Sequence, residues 1–304
     1  MRAICNLLRA PNLLIIAITF FIVRYLVFIP VYAAYSITAG MGSFYFLLLV
    51  TDTIIIAAAG YISNDYFDSV TDSVNKPEKQ YIGKLISPGS ALAIALSLSV
   101  VALLLSIWLT IKVKSYLPAM LLLFALLVAW WYAIKLKKSF LWGNIAVACM
   151  SAGTIVMAWL IEKQSSEVTD EPNRIITLII TAISIFAFLL SLLREIVKDV
   201  EDIEGDRLIK CRSLPIVKGI KFTKTVLLLF VILTIILLLV TQFYLLHHSK
   251  IVAVVWLLAA VEIPLIYFVF SLLKSKVKQD FHKLSTILKW IMLGGIASIV
   301  AGQF

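Results

Sequence analysis

Residues 44–72 read FYFLLLVTDTIIIAAAGYISNDYFDSVTD, an apolar run that ends abruptly in one asparagine and three aspartates. At 1.5 Å per residue, a helix of about 20 apolar residues crosses the roughly 30 Å hydrocarbon core of a bilayer. The acidic cluster then marks where the chain leaves lipid. The same kind of run recurs outward from this one, at roughly 12–37, 42–62, 88–111, 115–134, 140–161, 174–193, 222–242, 250–272 and 285–303. Nine transmembrane helices are expected. Of the 304 residues, 62% are hydrophobic and 14% charged, and the mean hydropathy is +1.03, which excludes a soluble globular domain. The runs are continuous rather than alternating in polarity, which excludes a membrane β-barrel.

Arg2 and Arg9 precede the first run as they would in a secretory leader. That run is too long and contains Arg24, so it reads as a retained first helix. Cys5, Cys149 and Cys211 are odd in number and widely spaced, so neither a disulfide framework nor a zinc site is expected. His247, His248 and His282 read as solvated residues of connections.

Cations divide unequally between the two sets of connections, and that bias sets orientation. One side collects Arg2, Arg9, Lys76, Lys79, Lys84, Lys135, Lys137, Lys138, the group from Arg194 to Lys224, and Lys274 to Lys289. The other has only Lys112, Lys114, Lys163, Arg174 and Lys250. The amino terminus is therefore expected in the cytoplasm and the carboxyl terminus outside, in a multi-pass protein of the cytoplasmic membrane. The net charge of +10 is then a topology signal and an attraction to anionic lipids. No nucleic-acid partner is implied.

The acidic residues are ordered. Asn64, Asp68 and Asp72 are spaced i, i+4, i+8, one face of a helix continued past the membrane surface. The segment REIVKDVEDIEGDR (194–207) repeats the pattern, with Glu195, Asp199, Asp202 and Asp206 on one stripe and Glu201 and Glu204 directed to solvent. Like charges at that spacing repel unless a cation sits among them. A few hard oxygen ligands on each stripe suit magnesium, which keeps several waters and is commonly shared with phosphates. Lysines and arginines follow in NKPEKQYIGK (75–84) and RLIKCRS (207–213), placed to neutralise a diphosphate. Ordinary solvated acidic loops explain one such pattern better than two, after the second and the sixth helix.

These residues resemble the UbiA-type intramembrane prenyltransferases. NDYFDSVTD (64–72) matches their NDxxDxxxD motif, and Asp202 to Asp206 their DxxxD motif, four helices later. RAPN (9–12), NKP (75–77), YAIKLKK (132–138) and DVEDIEGD (199–206) support the match, while NKPEKQYIGKLIS departs from the commoner NRPxRPIPSG form. The resemblance implies a single transmembrane domain over 1–304, an all-α bundle of nine helices around a central cavity, with two magnesium ions as cofactor. It implies that Asn64, Asp68 and Asp72 hold one ion and Asp202 and Asp206 the other, with Asp199 an additional ligand. Asp68 and Asp202 are the implied catalytic residues, and Lys76, Lys135, Lys137 and Arg212 the implied diphosphate contacts.

The implied reaction is ionisation of a polyprenyl diphosphate and capture of the allylic cation by a lipophilic acceptor. REIVKDVEDIEGDR is most similar to the archaeal-type branch that prenylates geranylgeranylglycerol phosphate. An aromatic acid or quinone precursor is the alternative acceptor. A membrane transporter is the rival of another class, but its ion ligands belong near the bilayer midplane on broken helices, not at the surface. An enzyme transferring phosphoalcohols needs a DG...AR...G...D...D run that 65–72 lacks. Arg24, Asp52 and Glu262 lie inside predicted spans and need partners. A clamp between Arg24 and Asp52 is expected.

Overall fold

The computed structural model describes residues 7–75, 80–166 and 168–303. Among them, nine helices are long and apolar enough to cross a membrane: α1 Ala10–Ala34, α2 Ser43–Phe67, α3 Pro88–Val113, α4 Leu117–Ile134, α5 Trp142–Ser165, α6 Asp170–Glu201, α7 Leu214–His247, α8 Ile251–Lys274 and α9 Lys278–Ala301. Each expected run has its helix. The protein is thus all-helical and multi-pass, and no strand occurs among the described residues.

Helix length departs from run length most at the second acidic segment. The span expected to end at 193 continues to Glu201, and the one expected to begin at 222 begins at Leu214. Apolar runs report the thickness of lipid, whereas the i→i−4 hydrogen-bond ladder continues through polar residues beyond it. With the short helix Ile203–Leu208 in between, the segment 194–221 is mostly helical, not a loop. The extension of α7 carries a bend at Gly219, where φ 82° and ψ 161° suit a residue without Cβ.

Two compact units divide the chain. The first comprises Met1–Lys137 and Thr154–Thr177. Its core includes Phe20, Leu49, Leu122 and Ile161. The small residues of α2 let neighbouring helices approach closely, so that a Cβ on Gly60 would stand 3.2 Å from the Ala129 Cβ of α4. The second unit comprises Lys138–Gly153 and Leu178–Phe304, with Leu193, Leu227, Phe268 and Leu288 in its core. Here Gly294 of α9 lies against α8, where a Cβ would meet the Ala260 carbonyl oxygen at 2.7 Å.

Two helices widen locally. Arg24–Phe28 in α1 and Leu258–Glu262 in α8 are π-helical, closed by i→i+5 bonds from Ile29 to Arg24 and from Ile263 to Leu258. Pro30 and Pro264 follow one residue later, after Ile29 and Ile263. A proline inside a helix lacks the N–H and crowds the carbonyl four residues back, and the wider turn relieves that crowding.

The expected clamp between Arg24 and Asp52 does not form. Arg24 instead pairs with Glu162 at 2.9 Å, both almost fully buried, and donates to the Met41 carbonyl. Asp52, fully buried, accepts from Ser106 of α3 at 2.7 Å. Glu262 is buried in α8 beside Gln242. A charge removed from water must find a partner, and the carboxylate that Arg24 meets is 138 residues away in sequence.

Candidate active site

α2 stops at Phe67, and Asp68 takes φ −91° and ψ 0° before the short helix Ser69–Asn75 resumes. The hydrogen-bond register survives the bend. The Asp68 amide donates to the Asn64 carbonyl at 2.9 Å, and the Asp72 amide to the Asp68 carbonyl at 2.8 Å. Asn64, Asp68 and Asp72 thus keep their i, i+4, i+8 spacing around a corner. The Asp68 dihedrals lie in the bridge region where active-site residues recur.

The second acidic segment repeats the geometry. α6 stops at Glu201, Asp202 takes φ −99° and ψ 6°, and the short helix Ile203–Leu208 follows. The Asp202 amide donates to the Lys198 carbonyl at 2.9 Å, and the Asp206 amide to the Asp202 carbonyl at 3.1 Å. In both segments the central aspartate of the motif is the corner residue.

Around the first corner, the Asn64 amide nitrogen donates to Asp68 Oδ2 at 2.7 Å, and the Lys137 ammonium pairs with the same oxygen. Asp68 is 4% exposed. Asp65 is turned to Arg9, whose guanidinium meets its carboxylate at 2.7 Å and lies 5.0 Å from the Tyr61 ring centre. Burial disfavours the Arg9 charge, but the Asp65 carboxylate overrides that and raises the guanidinium pKa above its ordinary value. Residues 80–86 fold back beside the corner, with Gln80 donating to the Ser69 carbonyl at 3.2 Å. A small cleft there is lined by Asp65, Ser69, Asp72, Gln80, Tyr81 and Ile82.

Around the second corner, Asn144 of α5 donates to Asp199 Oδ2 at 2.8 Å. Asp206 is buried and Asp202 half-buried. Glu195, one turn before Asp199, is held by Lys198 at 2.9 and 3.0 Å and by Arg194 at 3.3 Å, cations of its own helix. Glu201 is not solvated. It is 8% exposed and bonded to His282 Nδ1 at 2.9 Å. His282 in turn lies in the first turns of α9 rather than in a loop, while Glu204, His247 and His248 are exposed as expected.

Of the implied diphosphate contacts, Lys137 stands at the first corner, and Lys135, two residues earlier, is exposed. Arg212 is exposed, its amide donating to the Lys138 carbonyl at 3.0 Å. Lys76 lies outside the described residues. Sequence reasoning missed Arg9 with Asp65, Asn144, and His282 with Glu201. The first pair had a signal, since both residues fall inside quoted motifs, whereas nothing near Asn144 in sequence points to Asp199.

Among the described residues, no three His, Cys, Asp or Glu side chains converge into a preformed cage. Magnesium does not require one, because water and phosphate oxygens complete its shell. The first corner fits such an ion on a specific observation. Asn64 turns its nitrogen toward Asp68, and its carbonyl oxygen Oδ1 is buried without a hydrogen-bond partner. A buried acceptor of that kind is costly unless something fills it.

Residues 27–293 match the UbiA prenyltransferase family. The digeranylgeranylglyceryl phosphate synthase of Methanoregula boonei is 34% identical over 65% of this chain and 64% of its own, so the chain spans just under two thirds of that relative's length. The enzyme of that name from Methanosphaera stadtmanae is 30% identical over 82% of this chain and 84% of its own. The solved structure of a UbiA homologue from Archaeoglobus fulgidus, bound to DMAPP and Mg2+, superposes with a TM-score of 0.60 at 17% identity. It covers 98% of this chain and 99% of its own, a likeness of fold.

Proposed function

Because this chain belongs to the UbiA prenyltransferase family, we propose that it transfers a polyprenyl group from a polyprenyl diphosphate to geranylgeranylglycerol phosphate, with magnesium as cofactor. The acceptor follows the relatives named digeranylgeranylglyceryl phosphate synthase and the REIVKDVEDIEGDR segment. The whole of 1–304 acts as one transmembrane prenyltransferase domain of the cytoplasmic membrane, with the amino terminus in the cytoplasm.

One observation carries the reading: two acidic motifs whose corner aspartates, Asp68 and Asp202, share backbone dihedrals and an unbroken i→i+4 register. Asn64, Asp68 and Asp72 would hold one magnesium ion, and Asp202 and Asp206, assisted by Asp199, another. Bound there, the ions would supply the positive charge that makes diphosphate a stable leaving group. Lys76, Lys135, Lys137 and Arg212 supply positive charge to the phosphate oxygens. The allylic C–O bond breaks with its electron pair going to the diphosphate. The acceptor hydroxyl oxygen then bonds to the allylic carbon and loses its proton. Apolar helix walls keep water from capturing the cation first.

The test is the purified full-length protein in detergent with magnesium and geranylgeranyl diphosphate, offered geranylgeranylglycerol phosphate and 4-hydroxybenzoate together, with products identified by mass. The expected product is the digeranylgeranyl ether. Exclusive prenylation of the aromatic acid, or hydrolysis alone, overturns the assignment.

A further inference from the structure

We propose that Lys137 is an exchangeable place-holder for the metal: its ammonium occupies Asp68 in the metal-free protein and is released when magnesium binds. The inference rests on the prenyltransferase reading above and adds a step to it. Lys137 lies in a single 3-10 turn, Leu136–Lys138, that follows α4. Its ammonium is bonded to Asp68 Oδ2, the oxygen that also receives the Asn64 amide at 2.7 Å. One carboxylate oxygen therefore carries two donors, one of them a full positive charge. The Asp68 side chain is 5% exposed and that of Lys137 25% exposed, so the carboxylate is fixed and the lysine is the movable partner.

A magnesium ion that takes this oxygen competes with the ammonium for it, because the two cations repel. The ammonium is the group that gives way. A lysine on a flexible four-carbon stem, in the middle of a single 3-10 turn, can change partners by rotating its side chain, without disturbing a helix. Once off Asp68, its charge stands beside the metal and is available to a phosphate oxygen. The same side chain thus stabilises a buried carboxylate in the empty enzyme and contributes to diphosphate binding in the loaded one. Two consequences follow. Magnesium alone binds less tightly than the ligand set permits, because it must displace an ion pair. Magnesium also improves pyrophosphate binding partly by liberating Lys137, a coupling that is reciprocal.

The experiment is titration calorimetry of the full-length protein with magnesium chloride alone, then with inorganic pyrophosphate at saturating magnesium. Wild type is compared with Lys137→Met, Lys137→Arg, Lys135→Met and Asp68→Asn. Lys137→Met is expected to bind magnesium about three- to tenfold more tightly than wild type, the effect of deleting a partly buried competing ion pair, and pyrophosphate more weakly. Lys137→Arg should stay near wild type for magnesium, and Lys135→Met, which removes an exposed charge two residues away, should stay within about twofold for magnesium. Unchanged or weaker magnesium binding by folded Lys137→Met overturns the place-holder. So does equal tightening in Lys135→Met, which would reveal a general field effect. Failure of wild type to bind magnesium in the absence of pyrophosphate also overturns the place-holder, whereas failure to bind pyrophosphate with magnesium present, or undiminished magnesium binding by Asp68→Asn, would defeat the underlying reading.

Discussion

The two acidic corners have the same backbone and different company. At the first, cations press directly on the carboxylates, Arg9 on Asp65 and Lys137 on Asp68. At the second, a neutral amide, Asn144, orients Asp199, and an imidazole, His282, meets the neighbouring Glu201. A repeated fold element therefore fixes where the acidic side chains stand, while the surrounding helices decide how each is held. The first corner pairs its carboxylates with cations from other helices and turns. At the second, an amide dipole orients the Asp199 carboxylate.

The most severe way to break the comparison is to remove each corner carboxylate in turn. Asp68→Asn and Asp202→Asn are each expected to lower magnesium-dependent turnover by about a thousandfold or more, since several kcal/mol of leaving-group stabilisation is lost. Product formation across a magnesium titration, with circular dichroism as the folding control, checks this, and near-normal turnover in either variant would show that the corners are not equivalent. Next comes Asn144→Ala, which removes an amide bonded to a carboxylate. About tenfold more magnesium should then be needed for half-maximal rate, in keeping with a charge-assisted hydrogen bond. Arg9→Met loosens the first corner and should cost about two- to fivefold in turnover, because its ion pair is partly exposed. A salt series sharpens that reading: the gap between this variant and wild type should narrow as ionic strength rises. The smallest effect is expected of His282→Gln, about twofold or less in rate, since the imidazole is 58% exposed. A tenfold loss there would place His282 in the machinery of the second corner.

Much of the architecture was legible because lipid imposes a length. Nine apolar runs became nine helices, since nothing but a helix or a closed barrel satisfies the backbone across hydrocarbon. The acidic motifs were legible because their spacing matches the helix period, and the register indeed runs through both corners. What was not legible depended on distance in space. Arg24 looked for its partner in Asp52 and found Glu162, a residue one position beyond the expected end of the fifth run and so not counted among the buried charges. Glu201 was assigned to solvent by helical phase alone, yet α9 brings His282 to it from 81 positions away. Glu195 was on the expected stripe, but Lys198 and Arg194 of its own helix take it first. Phase says which side of a helix a group occupies, not what waits there.

The wide turns of α1 and α8 have an implication for chain length. Each accommodates one residue more than an α-turn, so side chains beyond it are rotated by about 100° from where uninterrupted winding would aim them. Deleting a single residue within 24–28 or 258–262 would restore regular winding locally and leave Tyr32 or Phe268 aimed into its packing as before, whereas a deletion one turn further on would swing it out. Insertions and deletions of one residue in this fold should accordingly gather at these proline-flanked turns, and homologous chains compared there need a one-residue gap to keep their interior faces in step.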